Sequence, residues 1–522
     1  MNVSSGRRAG FLVGAGILLS RIAGLVRQKV FAYYFSTSLA ADAFNAAFRI
    51  PNFLQNLFGE GVLSASFIPA YAGLLAHERK DEANRLAGAV GAALALATAI
   101  IVALGVLFAP ILVDLIAGGF TGEKRELTIR LVRIFFPGAG LLVLSAWCLG
   151  ILNSHRKFFI SYVAPVVWNL AMIAALIGFG ASTSQVRLAE LLAWASVAGS
   201  ALQFGVQVPF VLSVAGRIRL NTAFRTDEAR SVFRNFMPVF FGRGIVQISA
   251  FIDSYIASWL PTGALAALSY AQVLYTLPVS LFGMAVSAAE LPMMSSARGT
   301  VDEVSSHIRG RIEGGLERIA FFVIPSAVAF LALGDAISTV LFESGRFKRS
   351  DTIWVWQILA GSAIGLLAST WGRLYSSAFY ALRDTRTPVK FAITRVLFSS
   401  TAGATAALLL PGVLGIDRHY GVAGITIASG LAGWLEYSLL RRALTKRIGG
   451  IAIPRVITLR CWGAAIMSAA LAWVYRLGLG QRHRIVDAAA MIAIYSISYL
   501  VIATILKIPE AGQLTRRFRP KD

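Results

Sequence analysis

The chain has 522 residues, 57% of them hydrophobic and only 14% charged, with a mean hydropathy of +0.68. Ordinary soluble domains carry about 25% charged residues, so this composition excludes a soluble globular protein and points to a helix bundle in lipid. The formal charge of +23 suggests nucleic acid, yet the basic residues sit in short loops between apolar runs, without a folded basic face, which fits anionic lipid head groups instead.

Crossing a hydrocarbon core of ~30 Å takes about 20 apolar residues at ~1.5 Å rise each. That measure predicts an all-α, polytopic membrane protein of fourteen segments. They are 11–35, 40–75, 86–117, 128–153, 158–180, 188–214, 232–260, 264–296, 316–342, 352–382, 389–410, 420–440, 456–475 and 485–506. Arg7 and Arg8 before the first run mimic a signal peptide, but Arg21 and Arg27 interrupt it and no small-residue cleavage site closes it. It is expected to be a retained first helix. Loop charges predict both termini in the cytoplasm. The basic stretches GRIRLNTAFRTDEAR, RRALTKR and LTRRFRPK on the N-terminal side outweigh TGEKRELTIR, SGRFKRS and RLGLGQRHR on the other.

The first two segments carry charges that lipid does not tolerate freely: Arg21, Arg27, Lys29, Asp42, Arg49 and Glu60. Each costs roughly 2.5–3.5 kcal/mol near the bilayer centre, so each needs a partner or a wet cavity. Arg21 and Arg27 lie about 120° apart around their helix, with Gly24 between them. Lys29 is close enough to the segment end to snorkel. In the second segment Asp42, Asn45, Arg49, Asn56 and Glu60 fall within about 60° of one another. Pro51 kinks that helix and frees backbone groups, which suits a cavity wall. The competing expectation is an Asp42–Arg49 pair that only ties helices together.

The seventh segment repeats the theme with Arg243, Gln247, Asp253, Ser254 and Ser258, and the eighth with Pro278, Gly283, Glu290 and Pro292. LFGEGVLSASFIP (57–69) is echoed by LFGMAVSAAELP (281–292), and LGILNSHRKF (149–158) by AFYALRDTRTP (378–388). These echoes predict a parallel repeat of two six-helix lobes, 1–220 and 221–447, followed by 448–522 with two extra helices and a basic tail. In repeat-built transporters the substrate site lies between the repeats. The extra helices would form either a groove for lipid tails or plain packing.

Absences narrow the chemistry. There is no G-x-x-x-x-G-K-[ST], so no ATP site is expected. The five histidines are scattered without metal-ligand spacing, and Cys148 and Cys461 lie in apolar runs as packing residues. No catalytic constellation stands out, so the expectation is a transporter without metal or cofactor rather than an enzyme. Intramembrane charge is cationic on balance, with Arg373 and Arg395 adding to it, which suits an anionic substrate.

SRIAGLVRQKV, then ADAFNAAFRIPNFLQNLFGEGVLSASFIPAY, resembles the opening signature of the MurJ (MviN) family of lipid II flippases. YAQVLYTLP…ELPMMS and RDTRTPVK are similar as well. The family belongs to the multidrug/oligosaccharidyl-lipid/polysaccharide exporter superfamily. The resemblance implies two lobes around a cationic cavity, alternating access, and export of undecaprenyl-diphosphate-linked disaccharide-pentapeptide. It implies location in the bacterial inner membrane, contact with membrane lipids and with cell-wall synthesis proteins, and no nucleic-acid partner. Arg21, Arg27, Arg49 and Arg243 are expected to bind the diphosphate. Asp42, Asn52, Glu60, Asp253 and Glu290 are expected to support or gate the cavity. The energy would come from Na⁺ or H⁺ coupling or from the membrane potential. Gln28, Gln55 and Val273 depart from the family pattern, the last two replacing cavity arginines, so Arg243 and Arg49 are expected to supply the missing charge. The alternatives are an exporter of another polyprenyl-diphosphate-linked glycan and a non-transporting scaffold for wall synthesis.

Overall fold

The structure is a computed structural model, which describes residues 3–55, 57, 63–221, 226, 230–232, 234, 236, 251–478 and 483–512, with side chains from residue 16 onward except at 17, 64 and 65. Every regular element among the described residues is helical. The chain forms two compact units, Met1–Ala266 and Ala267–Asp522.

The first unit contains α1 (Val3–Phe35), α2 (Leu39–Leu54), α3 (Ser64–Ala76), α4 (Lys80–Leu107), α5 (Ala109–Ile116), α6 (Gly122–Ser154), α7 (Phe158–Phe179) and α8 (Gln185–Ala215). Residues 251–258 add a further helical stretch. The long α6 is its axis, packing against α2, α4 and α8, while α7 packs against α1 and α8. Phe67, Tyr71, Leu86, Val90, Val143 and Ile151 are among the side chains buried together where α3, α4 and α6 meet. Burying a side chain of this size stabilises by roughly 1.5–3 kcal/mol where water is the alternative. Toward lipid that term fades, and packing and internal hydrogen bonds take over.

α9 (Ala264–Pro278) starts at the end of the first unit. The second unit continues with α10 (Ala285–Ser295), α11 (Val301–Ala332), α12 (Gly334–Phe342), α13 (Arg349–Ala363), α14 (Leu366–Ala381), α15 (Arg386–Ala404), α16 (Leu410–Leu414), α17 (Gly421–Ile448), α18 (Arg455–Gly478) and α19 (Arg484–Ile505). Here α17 packs against α13, α14 and α15.

Among the described residues nine helices are long and apolar enough to cross a membrane, or ten if the bent pair α13–α14 is one span. The expected fourteen segments are not all unbroken helices. In the segment at 40–75 the described residues Gln55, Leu57 and Leu63 have π-helical backbone, and most of 232–260 lies outside the described residues. The segment at 352–382 bends by 43° at Gly365, where the backbone approaches Gly430 too closely for a Cβ on either glycine.

The internal echoes have backbone counterparts. π-helical backbone occurs at Gln55 and Leu57 after α2 and again at Val279–Met284 between α9 and α10. α6 ends with Arg156 in the left-handed region (φ 60°), its N–H and that of Lys157 bonding back to Asn153 and Leu152. α14 ends the same way: Arg383 has φ 58°, and it and Asp384 bond back to Tyr380 and Phe379. Each arrangement satisfies carbonyls that a helix end leaves open.

The two C-terminal helices are fastened to the rest of the second unit. Pro325 within α11 has no N–H, so the carbonyl of Phe321 loses its helical donor. Tyr499 supplies a replacement, donating to that carbonyl at 2.7 Å, and Tyr495 donates to the Pro325 carbonyl at 2.7 Å. Trp473 donates to the Ala332 carbonyl at 3.0 Å. At one end Asp335, 3% exposed, pairs with Arg349 and Arg476, while Glu343 pairs with Arg484.

Candidate functional site

The side chains that sequence reasoning singled out are described within each unit by itself. Glu60, Arg243 and the neighbouring Asn56 and Gln247 lie outside the described residues. The others fall into three places.

The first is the start of α2. Ser38 caps this helix, accepting from the Ala41 N–H at 3.2 Å. Asp42 follows in the first turn and is 1% exposed. It accepts from Lys124 Nζ at 2.8 Å, from the Gly263 N–H at 2.7 Å and from the Ala266 N–H at 2.9 Å. Asp42 thus caps the beginning of α9, where open N–H groups and the helix dipole favour a carboxylate. Lys124 also sits 4.6 Å above the Phe120 ring. The helical wheel placed Asp42 on one polar stripe with Arg49, as cavity lining or as half of a pair. Its charge partner in the fold is Lys124, which lies more than eighty positions along the chain, at the start of α6. Nearby, Gly119 donates to Ser258 Oγ at 3.0 Å, and a Cβ on Gly119 would stand 2.5 Å from the Ser258 carbonyl oxygen.

The second place lies farther along α2. Asp253 is close enough to Arg49 for their charges to attract, and Phe53 and Phe251 pack edge to face with centroids 5.2 Å apart. Asn52 is half-buried on the same helix, and Arg21 is exposed on α1. Arg27 has a different setting. Its guanidinium carbon lies 5.2 Å from the Phe48 ring centre and 5.0 Å from that of Trp168, and Nη1 donates to Met172 Sδ at 3.6 Å. Phe48 and Trp168 are themselves stacked, 5.6 Å apart at 12°. Among the described residues no carboxylate pairs with Arg27. Ring faces attract a guanidinium without supplying the opposite charge that a carboxylate would.

The third place is in the second unit. Glu290, fully buried on α10, is paired with Arg311 at 2.7 Å and Arg318 at 3.0 Å, both on α11. Two guanidiniums leave this carboxylate poorly placed to attract a further cation. Among the described residues no group of three or more His, Cys, Asp or Glu is arranged to hold a metal ion.

Sequence reasoning missed Lys124 and Trp168. Lys124 looked like one more loop charge in TGEKRELTIR, and Trp168 like an ordinary apolar residue of the fifth segment. The one available signal was the polar Asn169 beside that tryptophan.

The family model described as Lipid II flippase MurJ matches residues 31–493. The chain belongs to this family. It is 33% identical over 474 residues to the lipid II flippase MurJ of Burkholderia cenocepacia, covering 89% of each chain. To a probable lipid II flippase MurJ of Rhizobium tropici it is 32% identical over 531 aligned positions, covering 98% of this chain and 96% of the relative. A solved lipid II flippase MurJ, described as inward closed, superposes with a TM-score of 0.78 at 23% identity, covering 95% and 98%. An inward-facing multidrug transporter of the MATE family superposes with a TM-score of 0.64 at 16% identity, covering 82% and 96%. These two superpositions describe the fold alone.

Proposed function

We infer that the chain is a lipid II flippase, a transporter and not an enzyme, which exports the undecaprenyl-diphosphate-linked peptidoglycan precursor from the inner to the outer leaflet by alternating access. Family membership supports the substrate, and Arg27 is the observation that carries the mechanism. Among the described residues it is a guanidinium without a carboxylate partner, held by two rings and donating through Nη1 to Met172 Sδ. A diphosphate head group crosses hydrocarbon only through a wet, cationic route, while its polyprenyl tail can stay in lipid. Arg21 and Arg49 extend the positive charge along the first two helices, and Arg243 is assigned the same role from its place in the sequence.

The membrane potential is the energy source that fits best. It does about 2.3 kcal/mol of work per charge per 100 mV, enough to bias the return of an arginine-lined cavity. Coupling of Na⁺ or H⁺ through Asp253 or Glu290 is the alternative. Loop charges support a bacterial inner-membrane protein with both termini in the cytoplasm. Wall-synthesis enzymes that use the exported precursor are the partners expected, and nucleic acid is not.

The test is depletion of the protein in living cells, with measurement of which lipid-linked precursor accumulates in the inner leaflet. Lipid II should accumulate, and expression of the chain should rescue a strain lacking its own flippase. Accumulation of a different polyprenyl-diphosphate glycan, as the neutral Gln55 and Val273 would allow, refutes the assignment. Full rescue by Arg21→Ala and Asp42→Ala variants that do not transport would instead establish a scaffold.

A further inference from the structure

We propose that Trp168, together with Phe48, is a positioning residue for the transported diphosphate: the two rings hold the Arg27 guanidinium in a fixed, un-neutralised state in which it can grip the substrate. The inference rests on the flippase reading above and deepens it.

An arginine in an apolar helix is usually anchored by a carboxylate, and that anchor cancels the charge an anionic ligand would use. Arg27 is anchored otherwise. Three elements of the first unit converge on it: α1 provides the arginine, α2 provides Phe48, and α7 provides Trp168 and Met172. The negative faces of the rings attract the cation but accept none of its N–H donors. Among the described residues the single side-chain acceptor is the weak thioether sulfur of Met172. The cradle is itself braced. Trp168 Nε1 donates to the Ser196 carbonyl at 3.1 Å and to its Oγ at 3.2 Å, which ties the indole to α8. Phe48 continues into an aromatic column, with Phe44 at 5.5 Å and Phe135 at 5.5 Å.

A second observation points to a ligand at the same wall. Asn169, next to Trp168, is 5% exposed, and among the described residues its Oδ1 has no hydrogen-bond partner. Its Nδ2 is committed to the Pro165 carbonyl at 2.9 Å, so the open atom is the acceptor. It faces α1, 4.0 Å from where a Gly24 Cβ would stand. A charged donor and an open acceptor thus flank the α1–α7 seam about one helical turn apart. That pairing suits a phosphate attached to a group bearing hydroxyl or amide hydrogens.

The experiment is lipid II transport by the full-length protein in proteoliposomes, with maximal rate and half-saturating lipid II measured separately. The variants are Trp168→Phe, Trp168→Leu, Arg27→Ala and the double variant Arg27→Ala/Trp168→Leu, and each is checked for its melting temperature. Trp168→Leu should raise half-saturation roughly tenfold, which is about 1.4 kcal/mol and within the cation–π range, with little change in melting. Trp168→Phe, which keeps a ring face, should restore most of the loss. In the Arg27→Ala background Trp168→Leu should add nothing. Three results overturn the inference: equal losses in the Phe and Leu variants, additive losses in the double variant, or tighter substrate use by Trp168→Leu. The last would mean the cradle withholds Arg27. Unchanged transport by Arg27→Ala would instead remove the underlying reading that Arg27 meets the diphosphate.

Discussion

Replacing Asp42 with Ala should be among the most damaging single changes in the first unit. The wild-type carboxylate is 1% exposed and accepts three donors at 2.7–2.9 Å. Its loss strands Lys124, whose side chain is only 11% exposed, and breaking a buried pair in this way costs about 3–5 kcal/mol. The Gly263 and Ala266 N–H groups are left open as well, at about 1–3 kcal/mol each where water cannot reach them. These terms share one carboxylate and do not add in full, so about 4–6 kcal/mol is expected. Asp42→Asn retains an acceptor and should lose about half as much. The assay is thermal unfolding of purified protein in detergent, run as a double-mutant cycle with Lys124→Met. Strong non-additivity is expected, with the double variant more stable than Asp42→Ala alone. The exchanged pair Asp42→Lys/Lys124→Asp should stay impaired, because a lysine cannot accept from the N–H groups of Gly263 and Ala266. A melting temperature near wild type for Asp42→Ala, or full recovery in the exchanged pair, would refute this account.

Three further outcomes follow from other parts of the structure. Tyr499→Phe should destabilise the second unit by about 1–3 kcal/mol by orphaning the Phe321 carbonyl that Pro325 already deprives of a donor, and the loss should appear in the same unfolding assay. Glu290→Gln should cost about 1–2 kcal/mol, a discounted figure because Arg311 and Arg318 are 31% and 46% exposed; detergent unfolding reads it, and unchanged melting would show that the pairs are idle. His155 closes α6 and lies 3.1 Å from the Tyr71 hydroxyl, with burial and then Lys80 pushing its pKa below the ordinary 6.5. The folded state therefore favours neutral His155, so its contribution is present above pH 6.5 and fades as pH falls through the lowered folded value. A His155→Gln variant should show a flatter stability–pH profile on the acid side.

Much of this protein is legible in the chain itself. Apolar runs, unpaired prolines and interrupting arginines mark a helical membrane transporter, because hydrocarbon leaves the backbone almost no other option. The SRIAGLVRQKV stretch also carries the family, and the helix ends at Arg156 and Arg383 share one backbone conformation. The partners of each charge were not legible. A helical wheel relates residues on one helix, so it linked Asp42 to Arg49 on α2. The fold gave Asp42 to Lys124 and to the first turn of α9, which are remote in sequence and close only after packing. Arg27 was visible as a costly cation, but not the rings that hold it, since a tryptophan inside an apolar run looks like packing until another helix brings a guanidinium to its face. Local chemistry and the solvent set the elements of this chain. Which charge is paired within the fold and which is held by rings was decided by helix packing, because only tertiary contacts place a second charge or a ring within reach.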